Sequence, residues 1–104
     1  MAILGQLLTS GTSAEVAYKA TGEVVVSTLF ICNPTGSSAT AFTIHVVPDG
    51  QTKGNKHLLY SAVTITAGSS FAATAGITLS TGDTIQVTSA TAGGMACSVF
   101  GVVT

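Results

Sequence analysis

The chain has 104 residues and a mass of 10.3 kDa, enough for one domain over residues 1–104 and too little for two. Only 7% of its residues are charged, three Lys and four Asp or Glu with no Arg, so Lys19, Lys53 and Lys56 are the whole basic supply and a groove tracking the phosphates of nucleic acid is excluded. A hydrophobic share of 46% and a mean hydropathy of +0.62 run opposite to the signature of a disordered chain, while a formal net charge of −1 gives little self-repulsion and favours association.

Ile3, Leu4, Leu7 and Leu8 make the first eight residues unusually apolar for a chain end, and Gly5 and Gln6 interrupt the run. With Lys19 as the first basic residue, the charged start and unbroken apolar stretch of a secretory signal are not expected here. The segment reads either as an edge strand of the domain or as an arm that docks on a neighbouring protein. After a second strand near 14–19, Glu23 to Asn33 is apolar on both faces: Val24, Val26, Phe30 and Cys32 alternate with Val25, Leu29 and Ile31. A strand of that kind is covered on both sides, which places Val25, Leu29 and Ile31 close to a subunit contact.

Ala41 to Val47 alternates Phe42, Ile44 and Val46 against Thr43 and His45, the period of a half-buried strand. The longest turn region follows, from Pro48 to Lys56, and carries Lys53, Lys56, Gly50, Gly54 and Asn55 just before His57; it is expected to be the most exposed loop. Val63 and Ile65 then oppose Thr64 and Thr66, and Ile85 and Val87 oppose Thr84, Gln86 and Thr88. The closing run Ala96 to Val103 is apolar on both faces, with Cys97, Val99 and Val103 against Ala96, Phe100 and Val102.

Turn chemistry recurs between these runs at Thr21-Gly22, Asn33-Pro34-Thr35-Gly36, Pro48-Asp49-Gly50, Ala67-Gly68, Thr81-Gly82-Asp83 and Gly93-Gly94. Val, Ile and Thr make up a third of the chain and no helical period is visible. The fold class is therefore all-β: a single antiparallel β-sandwich, jelly-roll-like, with about eight strands near 3–9, 14–19, 23–32, 39–47, 57–66, 70–79, 83–90 and 95–103. Its uncharged segments are all interrupted by Ser, Thr and Gly, so no continuous apolar span of about 20 residues, and no membrane partner, is expected.

No enzyme signature is present. Catalysis by a hydroxyl needs a base within hydrogen-bond reach and a group that orients the base, and His45 and His57 are the only histidines. With Asp49 they match no established metal-ligand spacing, and Gly50 to Lys56 lacks the spacing of a phosphate-binding loop. The four carboxylates each lie in or beside a different turn, and Asn33-Pro34-Thr35 is barred from glycosylation by its central proline. No catalytic residue, metal ligand or cofactor is expected. Cys32 and Cys97 read as buried free thiols, with a bridge left open if their strands are neighbours.

The run Val26-Ser27-Thr28-Leu29-Phe30-Ile31-Cys32-Asn33, a Gly-Ser turn, and Ala41-Phe42-Thr43-Ile44-His45-Val46-Val47-Pro48 resemble segments of small tailed-bacteriophage virion structural proteins, of the capsid decoration (cement) or head-fibre-base type. Leu79-Ser80-Thr81-Gly82-Asp83-Thr84-Ile85-Gln86-Val87 and the closing Phe100-Gly101-Val102-Val103 continue the likeness, which covers residues 23–104. The Leu-x-x-Gly-Asp-x-Ile-x-Val corner is also similar to one in trimeric jelly rolls of the complement and tumour-necrosis class. Where the phage proteins open with a Val-Pro-Ala-Gly-type turn, this chain has Tyr18-Lys19-Ala20-Thr21-Gly22-Glu23.

The resemblance implies a protein of the virion, assembled in the host bacterial cytoplasm, that binds the outside of the major capsid protein lattice and stabilises the head. The expected partners are the major capsid protein and further copies of the chain, as a homotrimer. Candidate capsid contacts are Ile3, Leu4, Leu7 and Leu8 together with Lys53, Lys56 and His57, and candidate subunit contacts are Val25, Leu29 and Ile31. The alternative is a receptor- or carbohydrate-binding sandwich of a phage fibre or tail. Against it stands the lack of Trp, with only Tyr18 and Tyr60 beside the phenylalanines, because sugar sites usually offer an aromatic platform.

Overall fold

Alternation of apolar and polar residues, broken at regular intervals by Gly, Pro and Asp, produces eight strands in the structure, a computed structural model that describes residues 2–9, 11–34, 39–90 and 95–103. They are β1 (Ala2–Leu8), β2 (Glu15–Lys19), β3 (Val24–Cys32), β4 (Thr40–Val47), β5 (Leu58–Ile65), β6 (Ser70–Leu79), β7 (Thr84–Ser89) and β8 (Ala96–Val103). Each lies where the sequence pattern places it, with ends shifted by no more than one residue. The turn expected at Gly93-Gly94 and the Thr35-Gly36 half of the turn after Asn33 lie outside the described residues.

Two four-stranded antiparallel sheets face each other, ordered β1-β8-β3-β6 and β2-β7-β4-β5. Every connection except β4 to β5 crosses from one sheet to the other, which is the double Greek-key wrap of a jelly roll. Between the sheets, Leu29, Ile31, Phe42, Ile44, Leu79, Ile85 and Met95 are all less than 2% exposed. Phe71 and Tyr60 close one part of this core, with ring centroids 5.3 Å apart and each ring in contact with Phe42.

A bulge in β3 overturns part of the sequence expectation. Val26 stands opposite Gly101 of β8 and Thr28 opposite Phe100, so Ser27 is an extra residue against that neighbour. The Ser27 hydroxyl donates to the Phe100 carbonyl oxygen at 3.3 Å. One extra residue reverses the alternation, so Val24 and Val26 before the bulge and Leu29 and Ile31 after it all point inward. Leu29 and Ile31, expected with Val25 at a subunit contact, are instead core residues at 1% and 0% exposure. Their places on the outside are taken by Phe30 and Cys32.

Gly101 lets β8 pass the bulge. A Cβ at this position would overlap the Val25 carbonyl oxygen and stand 2.9 Å from the Val26 Cα, both backbone atoms that cannot swing away.

The same register settles the thiols. Ile31 stands opposite Cys97 and Cys32 opposite Ala96, so the two cysteines sit on neighbouring strands but on opposite faces of the sheet. Their side chains point apart and both are free, which closes the possibility of a bridge. Burial pushes the Cys97 thiol up to about 12.

The corner that joins β6 to β7 is held by Asp83. Its Oδ2 accepts from the Ser80 N–H and its Oδ1 from the Asp49 N–H, both at 2.9 Å, tying the turn after β6 to the chain leaving β4. Gly82 has a φ of 91°, in the left-handed region, and its N–H donates to the Ala20 carbonyl at 2.8 Å while the Ala20 N–H donates to the Asp83 carbonyl at 2.9 Å. The Gly-Asp pair is thus a structural clasp over three connections.

Candidate functional site

Charge separates the two sheets. Glu15 and Lys19 are in β2, and Glu23, Asp49, Lys53, Lys56 and Asp83 are in connections, so none of the seven charged residues belongs to a strand of the β1-β8-β3-β6 sheet. The outward side chains of β1, β8 and β3 stand in rows across that sheet: Val102 beside Val25, then Ile3, Phe100 and Thr28, then Gln6, Ser98 and Phe30, then Leu8, Ala96 and Cys32. Phe30 and Phe100 meet edge to face near its middle, with centroids 5.6 Å apart and planes at 89°. Ile3, Leu8, Val25, Phe30 and Val102 are all exposed, and Phe30 is open over 45% of its surface. The polar groups here are small: Gln6 donates from Nε2 to the Ser98 hydroxyl at 3.4 Å.

β1 is the edge strand beside β8, so residues 2–8 are part of the sheet. Leu4 and Leu7 pack against the core, whereas Ile3 and Leu8 extend the outer apolar face at 58% and 59% exposure. A shallow depression of about 310 Å³ lies where β1 meets β8, lined by Gln6, Leu7, Leu8, Ala96, Cys97 and Ser98.

The second sheet is covered differently. His45 points outward from β4 opposite Gln86 of β7 and Leu58 of β5, yet it is only 5% exposed. Lys53 and His57 of the connection between β4 and β5 act on it electrostatically, and the single-turn helix Asn55–His57 lies against β4. Burial holds the His45 imidazole below its ordinary value of 6.5, and Lys53 and then His57 push in the same direction. The His45 Nδ1 and the Thr88 hydroxyl are buried without a hydrogen-bond partner among the described residues.

His57, expected as a contact residue, is buried and organises its own loop. Its Nδ1 accepts from the Gly54 N–H at 3.0 Å, which leaves the ring proton on Nε2, and Nε2 donates to Gln51 Oε1 at 3.0 Å. That correction leaves Lys53 and Lys56 as the exposed cationic pair of the loop. Tyr18 and Tyr60 are packed against the core, so neither forms a free aromatic platform. Among the described residues no group of three His, Cys, Asp or Glu converges as a metal site, and no helix is long and apolar enough to cross a membrane.

Sequence reasoning found both doubly apolar strands but missed Phe30 as an outward residue and did not single out Phe100 and Val102. Gly101 in the middle of an apolar strand was the available signal, because a glycine inside a strand marks a bulge or a close backbone approach. These features define the protein's class as a two-sheet antiparallel jelly roll with one uncharged, apolar outer sheet face. The chain matches no protein-family model, and comparisons with curated proteins and with solved structures return no match.

Proposed function

We propose that the protein is a non-enzymatic structural protein of a bacteriophage virion, a capsid decoration (cement) protein that binds the outside of the major capsid protein lattice as a homo-oligomer. The observation that carries this reading is an outer sheet face without a charged residue, set against charges held in β2 and the connections. A protein that works by contact needs area rather than a pocket, and here the area is a sheet face free of charges that would be costly to bury. The opposite side offers the loop Pro48 to His57, stiffened by the His57 ring and bearing Lys53 and Lys56 for the lattice. The resemblance of residues 23–104 to phage virion proteins supports the same reading.

The test is location. Particles purified on a density gradient from a lysate that contains the chain are separated into heads and tails and probed with antibody against it. Recovery with the heads, in a fixed ratio to the major capsid protein, is the expected result. Recovery only with tails, or only with unassembled protein, overturns the proposal.

A further inference from the structure

We infer that the outer face of the β1-β8-β3-β6 sheet is covered by the same face of a second copy of this chain, giving a two-fold symmetric dimer. This inference stands on the geometry of the face and holds whether or not the protein decorates a capsid.

Charge selects the occupant. Because no charged residue lies within a strand of this sheet, and Glu23 just before β3 stands at its rim, a second copy buries no charge against the centre of the face. A partner with a charged patch would bury that charge against Phe30, Val25 and Val102 with no counter-charge, which is strongly unfavourable.

Area is sufficient for a copy and large for anything smaller. Four strands about 4.8 Å apart and eight residues long at about 3.3 Å each give a face of roughly 19 by 26 Å, or about 500 Å² per copy. Two such faces bury about 1,000 Å², the lower bound for a specific interface. The molecule measures 40 × 29 × 19 Å, so packing across its thin direction stacks sheet on sheet as in its own interior. The Phe30–Phe100 pair lies across the two central strands, where aromatic anchors contribute most to binding.

Symmetry sets the number. One self-complementary patch closes at two copies, whereas the trimer expected from sequence requires two different patches on each chain.

The experiment is sedimentation of the full chain over a range of concentrations, repeated with Phe30→Lys and, in case that variant fails to fold, Val102→Lys. The wild type is expected at twice 10.3 kDa. Each folded variant is expected to dissociate with a constant weakened on the order of 100-fold, because a buried unpaired ammonium is introduced twice per dimer. Alkylation of the native protein provides a second readout. Cys32 lies on the face, so its labelling with iodoacetamide slows as protein concentration rises, while buried Cys97 stays unlabelled until unfolding. A monomer at about 100 μM, a trimer, a dimer indifferent to both lysines, or Cys32 labelling that is independent of concentration overturns the inference.

Discussion

On the outer side of β4 the His45 ring is 5% exposed, beside a loop of its own chain, while on the outer side of β3 the Phe30 ring is 45% exposed. Both residues are third from the C-terminal end of their strands, yet the polar one is the covered one. The connection rich in Gly, Lys and Asn sets its single-turn helix against β4, where His45 and its polar neighbours Thr43 and Gln86 tolerate polar contacts. The apolar face of the other sheet offers such a loop no partners for its backbone groups, so its favourable cover is another apolar surface. The contrast teaches that cover on the outer faces does not follow side-chain polarity: a histidine is shut in while a phenylalanine stays open.

The largest effect that can test this contrast separates neighbours on β3. Leu29→Ala and Ile31→Ala are expected to lower stability by about 2–5 kcal/mol in urea titrations, while Phe30→Ala costs the dissociated chain about 1 kcal/mol or less. Equal losses at all three positions would mean that the bulge at Ser27 does not set the inward phase.

Gly101→Ala follows, with an expected loss of about 1–3 kcal/mol, since the new methyl must displace the backbone of Val25 and Val26. Unchanged stability would show that β8 does not pass β3 as closely as described.

A smaller effect sharpens the other side of the comparison. At pH above 6.5 the His45 ring is neutral in both folded and unfolded chains; below it the unfolded chain takes up a proton that the folded chain resists. Stability is therefore expected to fall as pH drops through 6.5 and to level off below the depressed folded value. Urea midpoints at pH 7.5 and 5.5 should differ less in His45→Gln than in the wild type; an identical decline in both would remove His45 as the cause.

The smallest effect on the fold belongs to Lys53→Ala with Lys56→Ala, which is expected to change stability by no more than about 0.5 kcal/mol. Under the capsid reading the same pair weakens attachment to heads, and more so at low ionic strength, where exposed charges are least screened. Attachment that is unchanged at low salt argues against the loop as the docking element.

Much of this molecule follows from local pattern. Alternation in residues 41–47, 63–66 and 84–88, together with Gly and Pro turns, determines that the chain forms strands and where they end, because pleating and turn geometry depend on a few consecutive residues. Composition likewise determines that few charges are available to cover its surface. Tertiary structure alone decided which side of β3 faces in after its bulge. The inward phase of Leu29 and Ile31 depends on β8 crossing at Gly101, a residue at least 70 positions away in the chain. It also decided that Cys32 and Cys97 stand back to back across one sheet, that Asp83 clasps Asp49, and that the outer face of the second sheet carries a buried histidine while the first stays apolar and open. Such outcomes depend on which distant strands become neighbours, and no short stretch of sequence contains that information.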